Sequence, residues 1–196
     1  MAQTRNIQET ITAYATTASV DGNGMSWSNE SGALTDGGIA ANVSGNSTSP
    51  ITEILYVHNF QIDLPPKSTV LGIEAFIKRQ SEDEGKPFYD EEVYLTTSLN
   101  GSSDSDNKSQ VGDWPTSYST AVYGGPADMW GSGFDQADIE GSSFGLGIVA
   151  TRNSTGLPYN QADVDLMYLK ITYEYNVAQI APPTNATQQE EIADST

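Results

Sequence analysis

His58 is the one histidine in the chain, and there is no cysteine. A Ser-His-Asp relay needs an imidazole held between a hydroxyl and a carboxylate. His58 stands alone in a strand-like stretch, with no second His or Cys to support it, and reads as structural. Carboxylates are plentiful, with 26 Asp and Glu. A glycosidase mechanism needs only two at a suitable separation, but no pair is singled out by an apolar setting that would raise a pKa.

Oxygen ligands suit calcium. The densest local set is Asp104-Ser105-Asp106-Asn107, which lacks the Gly and closing Glu of an EF-hand loop. Asp163 and Asp165 share one side of a strand entry and would need Asp135 or Asp138 brought beside them. A structural calcium ion is therefore compatible with the composition, but no ligand set is fixed, and the sequence assigns no metal, cofactor or catalytic residue. Trp114, Tyr118, Tyr123 and Trp130 offer flat apolar rings that could stack on a sugar. The competing reading, that such rings beside Gly-Gly-Pro and Trp-Gly turns plug the end of a sandwich, is the stronger one. Seven Asn-x-Ser/Thr sequons, at Asn29, Asn42, Asn46, Asn100, Asn107, Asn153 and Asn185, read as polar loop composition.

The elements that must position these groups are strands. The chain has 196 residues, 18 Gly, 9 Pro and almost no helical periodicity, a composition suited to short strands and turns. Thr10–Val20 alternates loosely up to the turn cluster Asp21-Gly22-Asn23-Gly24. One or two short strands are expected within 27–46. A longer one is expected over Ile51–Leu64, with a bulge near His58-Asn59 and a stop at Pro65-Pro66. Thr69–Gln80 places Leu71, Ile73, Ala75 and Ile77 on one face. Val93, Leu95, Thr97 and Leu99 repeat the pattern. Phe144–Thr151 carries Gly145 and Gly147 on its thin side, where something is expected to pack closely. Val164–Tyr175 is the clearest strand, with Met167, Leu169, Ile171, Tyr173 and Tyr175 on one face.

These elements predict an all-β fold, an antiparallel β-sandwich with jelly-roll topology expected. The expected organisation is a flexible N-terminal arm over 1–9, a sandwich domain over 10–175 and an extended C-terminal tail over 176–196. Eight basic against 26 acidic residues give a net charge of −18. Such a surface repels phosphate backbones and anionic lipid, so neither nucleic acid nor membrane is an expected partner. Adaptation to high salt is a competing cause of the same imbalance. The N-terminus has no signal-peptide pattern, and no segment has the length of a membrane span.

Phe60–Thr97 contains Ile62-Asp63-Leu64-Pro65, then Leu71-Gly72-Ile73-Glu74-Ala75, then Asp90-Glu91-Glu92-Val93-Tyr94-Leu95. Tyr123-Gly124-Gly125, Asp128-Met129-Trp130-Gly131, Asp138-Ile139, Phe144-Gly145 and the closing strand follow in order. Over residues 27–175 this resembles the jelly-roll virion structural proteins of tailed phages and related viruses. The resemblance implies a non-enzymatic structural protein: a capsid decoration or cement protein on the outer surface, a head fibre or a tail accessory domain, made in the host cytoplasm. It also implies major capsid or other virion proteins as partners, and a homo-oligomer, often a trimer. Under that reading the tail clips neighbouring subunits through Ile180, Pro182 and Pro183. The alternative is a carbohydrate- or receptor-binding module using Trp114, Tyr118, Tyr123 and Trp130.

Overall fold

In the computed structural model, residues 4–44, 49–82, 87–99, 103–152 and 161–178 are described. Among these, the strands are β1 (Thr4–Tyr14), β2 (Thr17–Asp21), β3 (Ala41–Ser44), β4 (Ile54–His58), β5 (Thr69–Ser81), β6 (Phe88–Thr96), β7 (Ser119–Gly124), β8 (Gly145–Arg152) and β9 (Gln161–Ala178). A 3₁₀ turn spans Glu30–Leu34, and a single helical turn, α1, spans Gln136–Glu140.

One sheet has the order β1-β9-β5-β7, with β3 also paired to β9; the other has the order β2-β4-β8-β6. Every named pairing is antiparallel. Successive strands alternate between the sheets without exception, so no two neighbours in sequence are hydrogen-bonded to each other. The expected all-β antiparallel sandwich is the fold.

Strand periodicity builds the core. In β9, Met167, Leu169 and Ile171 turn inward, and in β5 so do Ile73, Ala75 and Ile77; all are buried. Leu55, Val57, Val93, Leu95, Leu146 and Ile148 close over them from the other sheet. Each large aliphatic side chain so buried contributes about 1.5–3 kcal/mol of transfer free energy. β8 is buried on both faces along its length, as the thin glycine side predicts. A Cβ on Gly147 would lie 2.8 Å from Cζ of Tyr94, whose ring covers that spot.

Several boundaries differ from the sequence reading. Residues 4–9 are not an arm: they are the first half of β1, paired with β9 from Thr4 to Glu9. An edge strand held mainly through its backbone needs no apolar alternation, so its polar side chains concealed it. Thr10–Val20 divides at Ala15-Thr16 into β1 and β2, which lie in different sheets. The bulge expected at His58-Asn59 is the end of β4, because Asn59 and Gln61 take positive φ values of 59° and 51°, which leave the β region. β9 continues to Ala178, three residues into the expected tail. Ile180, Pro182 and Pro183 lie outside the described residues.

Candidate functional site

The densest polar cluster joins the two sheets near one end of the sandwich. Arg79 of β5 and Tyr123 of β7 come from one sheet and Asp90 of β6 from the other; all are buried, as is Trp114. Oδ2 of Asp90 accepts from Tyr123 Oη at 2.9 Å, from the Gln110 backbone N at 3.1 Å and from Arg79 Nη2 at 3.4 Å. Its Oδ1 accepts from Trp114 Nε1 at 2.8 Å. Arg79 Nε donates to the Tyr123 hydroxyl oxygen at 3.1 Å, and the guanidinium lies 4.9 Å from the Trp114 ring centre. Burial, reinforced by the Asp90 charge, raises the Tyr123 phenol well above its ordinary pKa of 10.0. A shallow groove of about 270 Å³ opens above, lined by Gln110, Asp113, Ser119 and Thr120 among others. With both Asp90 oxygens hydrogen-bonded and Tyr123 kept protonated, the node holds the sheets and the 110–114 segment together.

A second cluster lies on the outer face of the β5/β9 sheet. Lys78 Nζ is 2.7 Å from Asp165 Oδ2 and also bonds Asp36. Asp165 accepts from the Gly37 backbone N at 3.2 Å. Asp163 accepts from Gln80 at 2.7 Å, from Gln161 at 2.8 Å and from Tyr118 at 3.3 Å. The bonds from Asp165 first, then Asp36, raise the Lys78 pKa, and the bond from Lys78 lowers that of Asp36. Burial, with the Asp163 charge next, pushes Tyr118 up to about 12. These bonds latch two separate loops, one at Asp36 and Gly37 and one at Tyr118, onto the sheet.

The calcium arrangements considered from sequence do not assemble. Asp135 and Asp138 form the reciprocal capping box of α1, while Asp163 and Asp165 are held as above. Among the described residues no three His, Cys, Asp or Glu form a group able to hold a metal ion. Asp104-Ser105-Asp106-Asn107 has a different role: it covers the open edge of β6 with side chains. Asn107 Oδ1 accepts from Val93 N at 3.0 Å, Ser105 Oγ from Leu95 N at 2.8 Å and Asp104 Oδ2 from Thr97 N at 2.7 Å. In return, Lys108 N and Asp104 N donate to the carbonyls of Val93 and Leu95, at 2.8 and 3.2 Å. The periodic polar residues thus act as a substitute strand, which protects an edge from pairing elsewhere.

That cover has a pH signature. The bond from Thr97 N, with smaller help from the Thr97 and Thr96 hydroxyls, holds the Asp104 carboxyl below its ordinary 3.8. A depressed folded-state pKa contributes stability that is complete above the unfolded value and is lost as pH falls through the folded one. The Thr97 amide is therefore expected to keep its hydrogen-exchange protection down to about pH 4 and lose it below. Asp104→Ala should remove it at all pH values, at a cost of about 1 kcal/mol.

Of the four aromatics considered as a sugar platform, Trp114, Tyr123 and Trp130 are buried and only Tyr118 is exposed. Trp130 donates from Nε1 to the Ile73 carbonyl at 2.8 Å. The four rings form no surface. A different aromatic row, unnoticed in the sequence, crosses the outer face of the β5/β9 sheet. Tyr14, Tyr168, Phe76 and Val122 lie opposite one another in register on four strands. Phe76 and Tyr168 stack with centroids 4.6 Å apart at 7°, and Lys170 Nζ is 4.9 Å from the Phe76 ring centre. Their signal was large aromatics at positions whose neighbours on that face are polar. Tyr14 stacks on Tyr168 in turn, with centroids 5.4 Å apart, so the rings tie neighbouring strands together across this face.

His58 ends β4, its Nε2 3.4 Å from Ser19 Oγ and its Nδ1 3.3 Å from the Ser142 carbonyl. Gly141-Ser142-Ser143-Phe144-Gly145 fits the spacing Gly-x-Ser-x-Gly. It runs from a helix into a strand, the reverse of the strand-to-helix turn that exposes a nucleophile. Compared with known proteins, the chain matches no family model and no curated relative.

Proposed function

We propose that this chain is a non-enzymatic virion structural protein, a decoration or cement protein on the outer surface of a capsid. The observation that carries the proposal is the strand connectivity. Strict alternation between sheets, giving β1-β9-β5-β7 over β2-β4-β8-β6, supports the jelly-roll reading, and double-sheet jelly rolls serve both viral capsid and lectin domains. Fold alone does not choose between those roles; the side chains favour the first. The aromatic residues offered for a sugar are mostly buried, and the ionisable clusters are committed to joining sheets and loops. A charge of −18 suits a protein kept on the far side of the shell from a polyanionic genome.

The partners under this reading are the major capsid protein or other virion proteins, reached in part through the segment after Ala178. A chain ending at Ala178 should keep the melting temperature of the full chain yet bind purified capsid shells at least tenfold more weakly. Equal binding by both chains would remove the tail from the attachment mechanism; binding by neither would count against the reading itself. A glycan array should give no hits, and a specific hit abolished by Tyr118→Ala would instead favour the carbohydrate-binding alternative.

A further inference from the structure

The two sheets have five outer strands, β1, β3, β7, β2 and β6; β3 is four residues long, and Ser28 bridges Asn42 on its far side. An unpaired edge exposes N–H and C=O groups that another strand can complete. β6 is covered by the 104–108 segment. β7 is six residues long and receives Gln110 Nε2 on the Val122 carbonyl, and β2 has only five residues. β1 is different. It runs for eleven residues against β9 with no break in register, from Thr4 opposite Ala178 to Tyr14 opposite Tyr168. Among the described residues, its hydrogen-bonding partners all lie in β9.

Four of its eleven residues also stand beyond the reach of β5. β5 pairs with β9 only as far as Glu174, so residues 4–7 and 175–178 form a two-stranded ribbon, an arrangement marginal on its own in water. Its charges balance. Thr4–Tyr14 holds one Arg and one Glu, a net of zero in a chain of −18. Two copies therefore meet little net repulsion along β1, which unlike the uncharged β3 and β7 also carries one charge of each sign for cross-strand pairing.

We propose that β1 docks a second copy of this chain, antiparallel strand to strand, about a two-fold axis through Ile7. That register sets Ile7 opposite Ile7 and places Arg5 of each copy opposite Glu9 of the other, with Asn6 opposite Gln8. Arg5, Ile7 and Glu9 alternate onto one face of the strand, the face that carries Tyr173 and Tyr175, whose hydroxyls donate to Glu9 at 3.0 and 3.4 Å. Glu9 thus offers a fixed carboxylate to the incoming guanidinium. A register centred on Glu9 would instead oppose like charges, which is destabilising across strands. The contact is isologous, so it closes as a dimer, and it stands apart from the trimer implied by the resemblance and from the proposed virion role.

Sedimentation equilibrium of the full chain tests it, at submillimolar concentration in salt that screens long-range repulsion. A reversible dimer is expected. Arg5→Glu and Glu9→Arg should each weaken it about tenfold by replacing two attractive cross-strand pairs with repulsive ones. Mixing the two variants should restore the parent affinity, because each Glu then meets an Arg. Both positions are exposed, and unchanged far-UV circular dichroism and melting will show that the variants remain folded. A strictly monomeric chain, a trimer, or a dimer indifferent to both substitutions and to their mixing would overturn the proposal.

Discussion

Replacing Asp90 with alanine is expected to destabilise the protein by about 3–5 kcal/mol, the range for removing one partner of a buried ion pair. The loss leaves the buried Arg79 guanidinium without its carboxylate, and strips Tyr123 Oη and Trp114 Nε1 of their acceptors. For a domain of this size the melting temperature should fall by roughly 6–20 °C. The companion Arg79→Met/Asp90→Leu double variant should recover most of that loss, since a packed apolar pair replaces a buried charged one at little net cost. Differential scanning calorimetry of the three proteins measures both effects. An Asp90→Ala variant melting within a degree of the parent would show that the node does not join the sheets.

Trp130→Ala carries the second large effect, about 3–5 kcal/mol. The indole is fully buried and plugs the end of the core next to Gly124. A Cβ at Gly124 would stand 2.4 Å from Trp130 Nε1, and φ there is +71°, so glycine is required both by space and by backbone. The truncation opens a cavity and leaves the Ile73 carbonyl with only the longer bond from Gly125 N, at 3.2 Å. It should also act at a distance along the chain: the Trp130 carbonyl accepts from Asp106 N at 2.7 Å, so the cover over β6 should loosen with it. Faster hydrogen exchange at Val93, Leu95 and Thr97, beyond the change in global stability, is the expected readout. Trp130→Phe keeps most of the volume but not the donor and should cost about 1–3 kcal/mol.

Strands whose one face is buried were legible in the sequence, because burial imposes alternation. β5 and β9 show this directly: Ile73, Ala75 and Ile77, and Met167, Leu169 and Ile171, are inward as their spacing requires. The close packing at Gly147 was legible too, through the absence of a side chain. The first half of β1, residues 4–9, was not, since a strand paired along one edge writes almost nothing into its side chains. The 104–107 segment misled for a related reason: Asp, Ser and Asn are good cation ligands and equally good acceptors for backbone N–H groups, and only the position of β6 decides between the uses. The Arg79–Asp90 node was invisible because its members come from three strands separated in sequence and from both sheets. The aromatic row was half visible, as Phe76 and Tyr168 sit on polar faces, but cross-strand register joins them and sequence does not give register.

The role rests on where the chain sits, and a cryo-EM reconstruction of whole particles carrying it measures that directly. The account predicts density for the sandwich on the outer surface of the shell, contacting capsid subunits and separated from the genome. Density inside the shell against packaged nucleic acid, or particles from which the chain is absent, would contradict it.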